Sequence, residues 1–199
     1  MSFIVAIGGA RGSGKSALAR MLSNTLRTDV LHLGRVRGLL RGTTGHDPIL
    51  DRSVNREAEA SESVATLTSQ SRAMKSAVDH VIAECRVRQA PLVIEGTHCL
   101  PGLYREVDVH VILNVENATL AARYGKDKIR ADYAPLPCFL TPMVARNLQI
   151  QAWLLEAAVR FENHVSIIEA DYLPAAFIEI VQKIPSRRIP RLAHADTAS

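Results

Sequence analysis

Short runs of consecutive apolar residues alternate along this chain with longer stretches whose apolar residues recur every three or four positions. Phe3-Ile4-Val5-Ala6-Ile7 is the first run, closed by Gly8-Gly9. Without polar alternation, it predicts a parallel strand covered on both faces. Leu18, Met21, Leu22 and Leu26 then mark a helix. A second strand is expected at Val30 to Leu33, followed by an arginine-rich stretch to Arg41 and a loop of turn formers from Gly42 to Pro48. The longest helical signal carries Val64, Leu67, Met74, Val78, Val81, Ile82 and Cys85. Pro91 to Ile94 reads as a third strand ending at Glu95-Gly96, and Val109 to Leu113 as a fourth. Asn117 is placed to cap a basic helix reaching about Arg130. Thr141-Pro142, a capping side chain before a proline, predicts the start of a helix that runs to Phe161. Val165 to Ile168 is the fifth strand and Ala175 to Val181 the last helix. Five strands separated by helices predict an α/β fold around a parallel sheet, with no internal repeat.

The chemistry begins where the first strand ends. Gly9-Ala10-Arg11-Gly12-Ser13-Gly14-Lys15-Ser16 satisfies G-x-x-x-x-G-K-[ST], the P-loop pattern, between a predicted strand and a predicted helix. Glycines let the backbone turn its N–H groups onto phosphate oxygens, and the following helix adds its positive N-terminal end. The expected phosphate-binding residues are Gly9, Ala10, Arg11, Gly12, Ser13, Gly14, Lys15, Ser16 and Ala17. Lys15 is expected to reach the β- and γ-phosphates of ATP and Ser16 to ligate Mg2+. Glu95 is the expected second acid: at the end of a strand it stands at the carboxyl edge of the sheet, where ligands of open α/β folds bind, and there it can hold the magnesium through water. His98 shares that loop, placed either to orient it or to touch substrate.

Composition narrows the class. With 199 residues, 47% hydrophobic and 22% charged, the chain is expected to form one globular unit over residues 1–184. The net charge of +4 gives no reason to expect nucleic acid or a membrane surface as partner. Half of it sits in the basic tail, residues 185–199, where Arg187, Arg188 and Arg191 face one acid, Asp196. Nineteen of the 24 basic residues are arginine, the side chain suited to bidentate recognition of phosphate and carboxylate. The three cysteines, Cys85, Cys99 and Cys138, are widely spaced and form no metal or disulfide pattern, as in a cytoplasmic protein. No apolar run is long enough to span a membrane.

Three segments resemble P-loop kinases of small molecules, and most closely the 2-phosphoglycerate kinase family: Gly8 to Ser16, Val36-Arg37 with Arg41, and Ile94-Glu95-Gly96-Thr97-His98-Cys99-Leu100-Pro101-Gly102. Weaker similarity continues through Arg123-Tyr124 and Ile150-Gln151. The resemblance implies a three-layer P-loop NTPase sandwich with a five-stranded parallel sheet and a short helical lid over about residues 118–140. It implies ATP- and Mg2+-dependent transfer of a phosphoryl group to a small acidic metabolite, such as 2-phosphoglycerate or a related hydroxy acid. Arg37 and Arg41, four residues apart, share a helical face that could clamp this substrate together with His98. Arg123, Lys126 and Arg130 form a stripe on the lid, with Arg123 and Arg130 expected to stabilise transition-state charge. Tyr124 and Trp153 are expected to pack. One departure stands out: such kinases often carry an aspartate three residues before the arginine, and here that position is Gly34. Two other readings stay open: a nucleotide-binding regulatory protein, and a kinase acting on a macromolecule or nucleotide sugar.

Overall fold

The computed structural model describes residues 2–43, 45, 47–54, 60–130 and 137–185. Five strands, β1 (Ile4–Gly8), β2 (Asp29–His32), β3 (Leu92–Glu95), β4 (Val109–Asn114) and β5 (Ser166–Glu169), form one sheet in the order β2-β3-β1-β4-β5. Every pairing is parallel. The central strands are buried throughout, which is why β1 and β3 read as unbroken apolar runs.

Helices cover both faces. α1 (Lys15–Leu26) and α7 (Leu173–Lys183) pack on one, where Leu18, Leu22 and Ile180 meet Val5, Ile7, Val111 and Leu113. The other face meets α4 (Ala60–Val87), which brings Val78 and Ile82 onto Ile4, Ala6 and Ile94, and α6 (Pro137–Val159), which brings Ile150 and Leu154 onto Ile112. The α/β three-layer sandwich with a five-stranded parallel sheet is therefore the fold. Two short helices, α2 (Leu33–Thr43) and α3 (Pro48–Asp51), follow β2, and α5 (Asn117–Arg130) follows β4. Among the described residues no helix is long and apolar enough to cross a membrane.

Several boundaries differ from expectation, α7 among them, which runs from Leu173 to Lys183 and not from Ala175 to Val181. Leu33 opens α2 instead of closing β2, so the arginine-rich stretch is helical up to Thr43. Asn117 is the first helical residue of α5 and not its cap; the Leu120 N–H bonds the Glu116 carbonyl at 2.8 Å, leaving Glu116 at the cap position. The start predicted at Thr141-Pro142 is wrong by one turn and more, since α6 begins at Pro137 and contains Pro142. Pro137 meets the same rule for proline at the first helical position, and an internal proline removes a single ladder bond that a long packed helix tolerates. At its other end α6 stops at Val159, short of Phe161. The basic tail from residue 186 lies outside the described residues, and so does the part of the expected lid at residues 131–136.

Candidate functional site

The loop after β1 closes into a nest. Gly12 and Gly14 have φ of +86° and +92°, conformations that a side chain would strain, and Gly14 stands at the N-cap of α1. A Cβ on Gly14 would lie 2.7 Å from the Leu173 side chain, so the segment entering α7 presses directly on the phosphate loop. Lys15 is folded back into this nest. Its Nζ donates to the Ala10 carbonyl at 2.6 Å and to Ser13 Oγ at 3.4 Å. Burial lowers its pKa to about 8, against the opposing field of Glu95. Ser16 is exposed at the start of α1. A cradle of positive-φ glycines, a helix N-terminus and a buried ammonium suits polyphosphate.

Asn147 of α6 fastens the loop from outside. Its Oδ1 accepts from the Arg11 N–H at 3.1 Å while its Nδ2 donates to the Arg11 carbonyl at 2.7 Å. Both groups of one peptide residue are thereby satisfied by a single buried amide. The Arg11 guanidinium lies over the Tyr124 ring, 5.8 Å from its centre. Tyr124 is fully buried and Trp153 packs against the α6 side of the core, so both serve packing as expected.

Glu95 ends β3 in register with His32 of β2. His32 Nδ1 and Glu95 Oε1 are 2.6 Å apart, and the other Glu95 oxygen has no hydrogen-bond partner among the described residues. A carboxylate with one oxygen occupied and one open fits a magnesium-bound water, since Mg2+ prefers oxygen and retains several waters. Among the described residues no group of three or more His, Cys, Asp or Glu side chains could hold a metal alone. Ser16 and Glu95 could, with nucleotide phosphates, supply a donor set of the right chemistry.

Beside this edge, Arg37 and Arg41 lie on α2 as the spacing predicts, but they meet different partners. Arg41 Nε pairs with Asp51 Oδ1 at 2.7 Å in an exposed ion pair. Arg37 Nη1 donates to the amide oxygen of Gln70 at 3.0 Å. His98 Nε2 lies 3.2 Å from that same oxygen. The imidazole is buried, which together with Arg37 and Lys15 lowers its pKa to about 4. A Cβ placed on Gly34 would meet nothing within 4 Å, so no side chain fills the position where an aspartate was expected.

On the other flank, Arg123 of α5 donates to the carbonyls of Ala170 and Asp171, at 3.3 and 3.0 Å, in the segment after β5. That holds its guanidinium beside the phosphate loop, because Leu173 of the same segment touches Gly14. The side chains of Lys126 and Arg130 lie outside the described residues. Sequence reasoning missed His32, Gln70 and Asn147. A separate cavity of about 650 Å3 opens at the opposite edge of the sheet, between the starts of β4 and β5, and is lined by none of these site residues.

The sequence profile of a family described as "AAA domain" matches residues 5–133, more than half of the chain. No curated protein matches. Among solved structures, the crystal structure of an uncharacterized protein from Eubacterium ventriosum ATCC 27560 is 14% identical, with a TM-score of 0.49, over 92% of this chain and 97% of that one.

Proposed function

This chain belongs to the AAA domain family, a P-loop NTPase-like family that includes kinases, and from that premise we propose that it transfers the terminal phosphoryl group of ATP to a hydroxyl of a small acidic metabolite. A phosphorylated hydroxy acid such as 2-phosphoglycerate is the substrate class. One observation carries the reading: Arg37, a partly buried cation, has only the neutral Gln70 as partner among the described residues, beside the edge that holds the phosphate loop. A guanidinium kept without a counter-ion is suited to an anionic ligand.

Residues Gly9 to Ala17 would hold the nucleotide phosphates, with Lys15 exchanging its Ala10 carbonyl for phosphate oxygen. Ser16 and the open oxygen of Glu95 would hold magnesium, directly and through water. When bound, the metal neutralises charge on the phosphates. Arg37 orients the acid group of the acceptor, with Arg41 outside it anchoring α2 to Asp51. Arg123 and Arg130 belong to a lid of about residues 118–140 that excludes water and stabilises equatorial oxygen charge. Phosphoryl transfer through a loose transition state depends on positioning more than on a strong base, so the empty place at Gly34 does not bar the reaction.

The test is a comparison of two arginines. Arg37→Ala should raise the Michaelis constant for the acceptor at least about tenfold, the loss of a charged hydrogen bond, and leave that for ATP within about twofold. Arg41→Ala should have a smaller effect of the same kind. Equal changes for both substrates in Arg37→Ala would defeat the assignment.

A further inference from the structure

Gln70 is wholly buried on α4, and its amide uses every hydrogen-bonding position it has. Nε2 donates to the Ile49 carbonyl at 3.0 Å and to the Arg52 carbonyl at 2.8 Å, at the two ends of α3. Oε1 accepts from Arg37 Nη1 and faces His98 Nε2. This orientation is fixed, because carbonyls only accept and a guanidinium only donates. The same oxygen then dictates the ring: an acceptor facing His98 Nε2 requires the proton there. Nδ1 is left bare, and it has no partner among the described residues.

The choice of an amide matters for charge. Two other guanidinium groups that bind a neighbouring side chain meet a carboxylate: Arg41 has Asp51, and Arg86 has Asp108 at 2.8 Å. At Arg37 the neighbour is neutral. Among the described residues no carboxylate meets it, so the guanidinium is held in position without a counter-ion there.

We infer that Gln70 is a positioning residue of the acceptor site, which holds Arg37 without neutralising it and fixes His98 with its proton on Nε2, so that one cation and one bare ring nitrogen are presented together. An acceptor carrying an acid group and a hydroxyl matches that pair: the acid meets Arg37, and the hydroxyl donates to His98 Nδ1. The low proton affinity of the buried His98 agrees with a hydrogen-bond acceptor that orients the hydroxyl. This assignment of the ligand rests on the kinase reading above, whereas the hydrogen-bond geometry does not.

Two measurements separate them. Long-range 15N–1H NMR of the wild-type chain reads which nitrogen of His98 carries the proton; Nε2–H is expected, and Nδ1–H would overturn the inference whether or not the chain is a kinase. Binding of 2-phosphoglycerate and of ATP is then measured calorimetrically for wild type, Gln70→Glu and Gln70→Met. A carboxylate in place of the amide would neutralise Arg37, so the Gln70→Glu variant should lose at least about tenfold in 2-phosphoglycerate affinity, the worth of a charge-assisted contact, and keep ATP within about twofold. Gln70→Met, neutral at that position, should lose less than Gln70→Glu and release His98 from its single tautomer. Equal losses in the two variants, or losses that fall equally on ATP, would overturn the charge argument. If wild type fails to bind 2-phosphoglycerate, the substrate reading falls and the ring proton still decides the role of Gln70.

Discussion

Lys15 offers a prediction in which protonation reports ligand binding. Its ammonium is buried and bonded to the Ala10 carbonyl, and its pKa falls from 10.5 to about 8, chiefly through burial. That shift corresponds to about 3 kcal/mol, at about 1.4 kcal/mol per unit. Between about pH 8 and 10.5 the unfolded chain holds the proton that the native chain has released, so native stability rises with pH across this window. Below about pH 8 both states are protonated and the whole cost stands against the fold. Polyphosphate restores the charge, so nucleotide binding above about pH 8 must take up a proton. The dissociation constant of ATP should then climb by up to about one decade per pH unit until the pKa of the bound state is passed. Above about pH 8 ATP itself does not interfere, because its last phosphate ionisation, with a pKa of about 6, is then complete. Titration calorimetry without magnesium, in buffers of different ionisation enthalpy, counts the protons directly. Uptake should be near zero at pH 7 and approach one proton by about pH 9.5, and Lys15→Arg, charged throughout, should abolish it. Identical flat proton counts in wild type and Lys15→Arg would refute the reasoning.

The scaffold of the site responds to pH and to substitution as well. His98 and His110 are both buried with pKa lowered to about 4, so the unfolded chain alone takes up their protons as pH falls from about 6.5 to 4. Stability should decline through that window by up to about 3 kcal/mol per ring, and urea midpoints should show a shallower decline in His110→Gln. Asn147→Ala strands the N–H and carbonyl of Arg11 and should cost about 1–3 kcal/mol in urea unfolding, with weaker ATP binding; unchanged binding would release the loop from α6. Gly14→Ala combines a strained φ with the contact to Leu173 and should cost more than about 1 kcal/mol, along with nucleotide affinity.

The centre of the sheet was legible because its strands β1, β3 and β4 are buried on both faces. β1 and β3 show as apolar runs and β4 as one interrupted by His110, and the P-loop punctuates the first of them. The boundaries of α2 and α6 were less visible. Leu33 is apolar both as a strand end and as the first buried residue of a helix, and α6 holds prolines at 137 and 142, of which only one opens it. The candidate site was half legible. A P-loop lysine and a strand-end glutamate announce themselves, whereas His32 and Glu95 come together only through the β2–β3 register. Gln70 left a signal that went unread. It sits three residues after Leu67 and four before Met74, a polar side chain on the buried stripe of α4. Asn147 and Gln151 do the same on α6, three residues from Ile150 and Leu154 respectively. A polar residue where the helical period demands an apolar one marks a buried hydrogen-bond site, although its partners emerge only with the fold.

Acceptor-dependent turnover tests the central claim most directly. The chain is incubated with ATP and Mg2+ and a panel of hydroxy acids and their phosphorylated forms, phosphoglycerates included, while ADP release is followed and the products are read by 31P NMR. ADP release that depends on an acidic acceptor is expected, with the phosphoryl group on its hydroxyl, and loss of both in Lys15→Ala. ADP release that is the same with every acceptor and with none, yielding only inorganic phosphate, would contradict the claim.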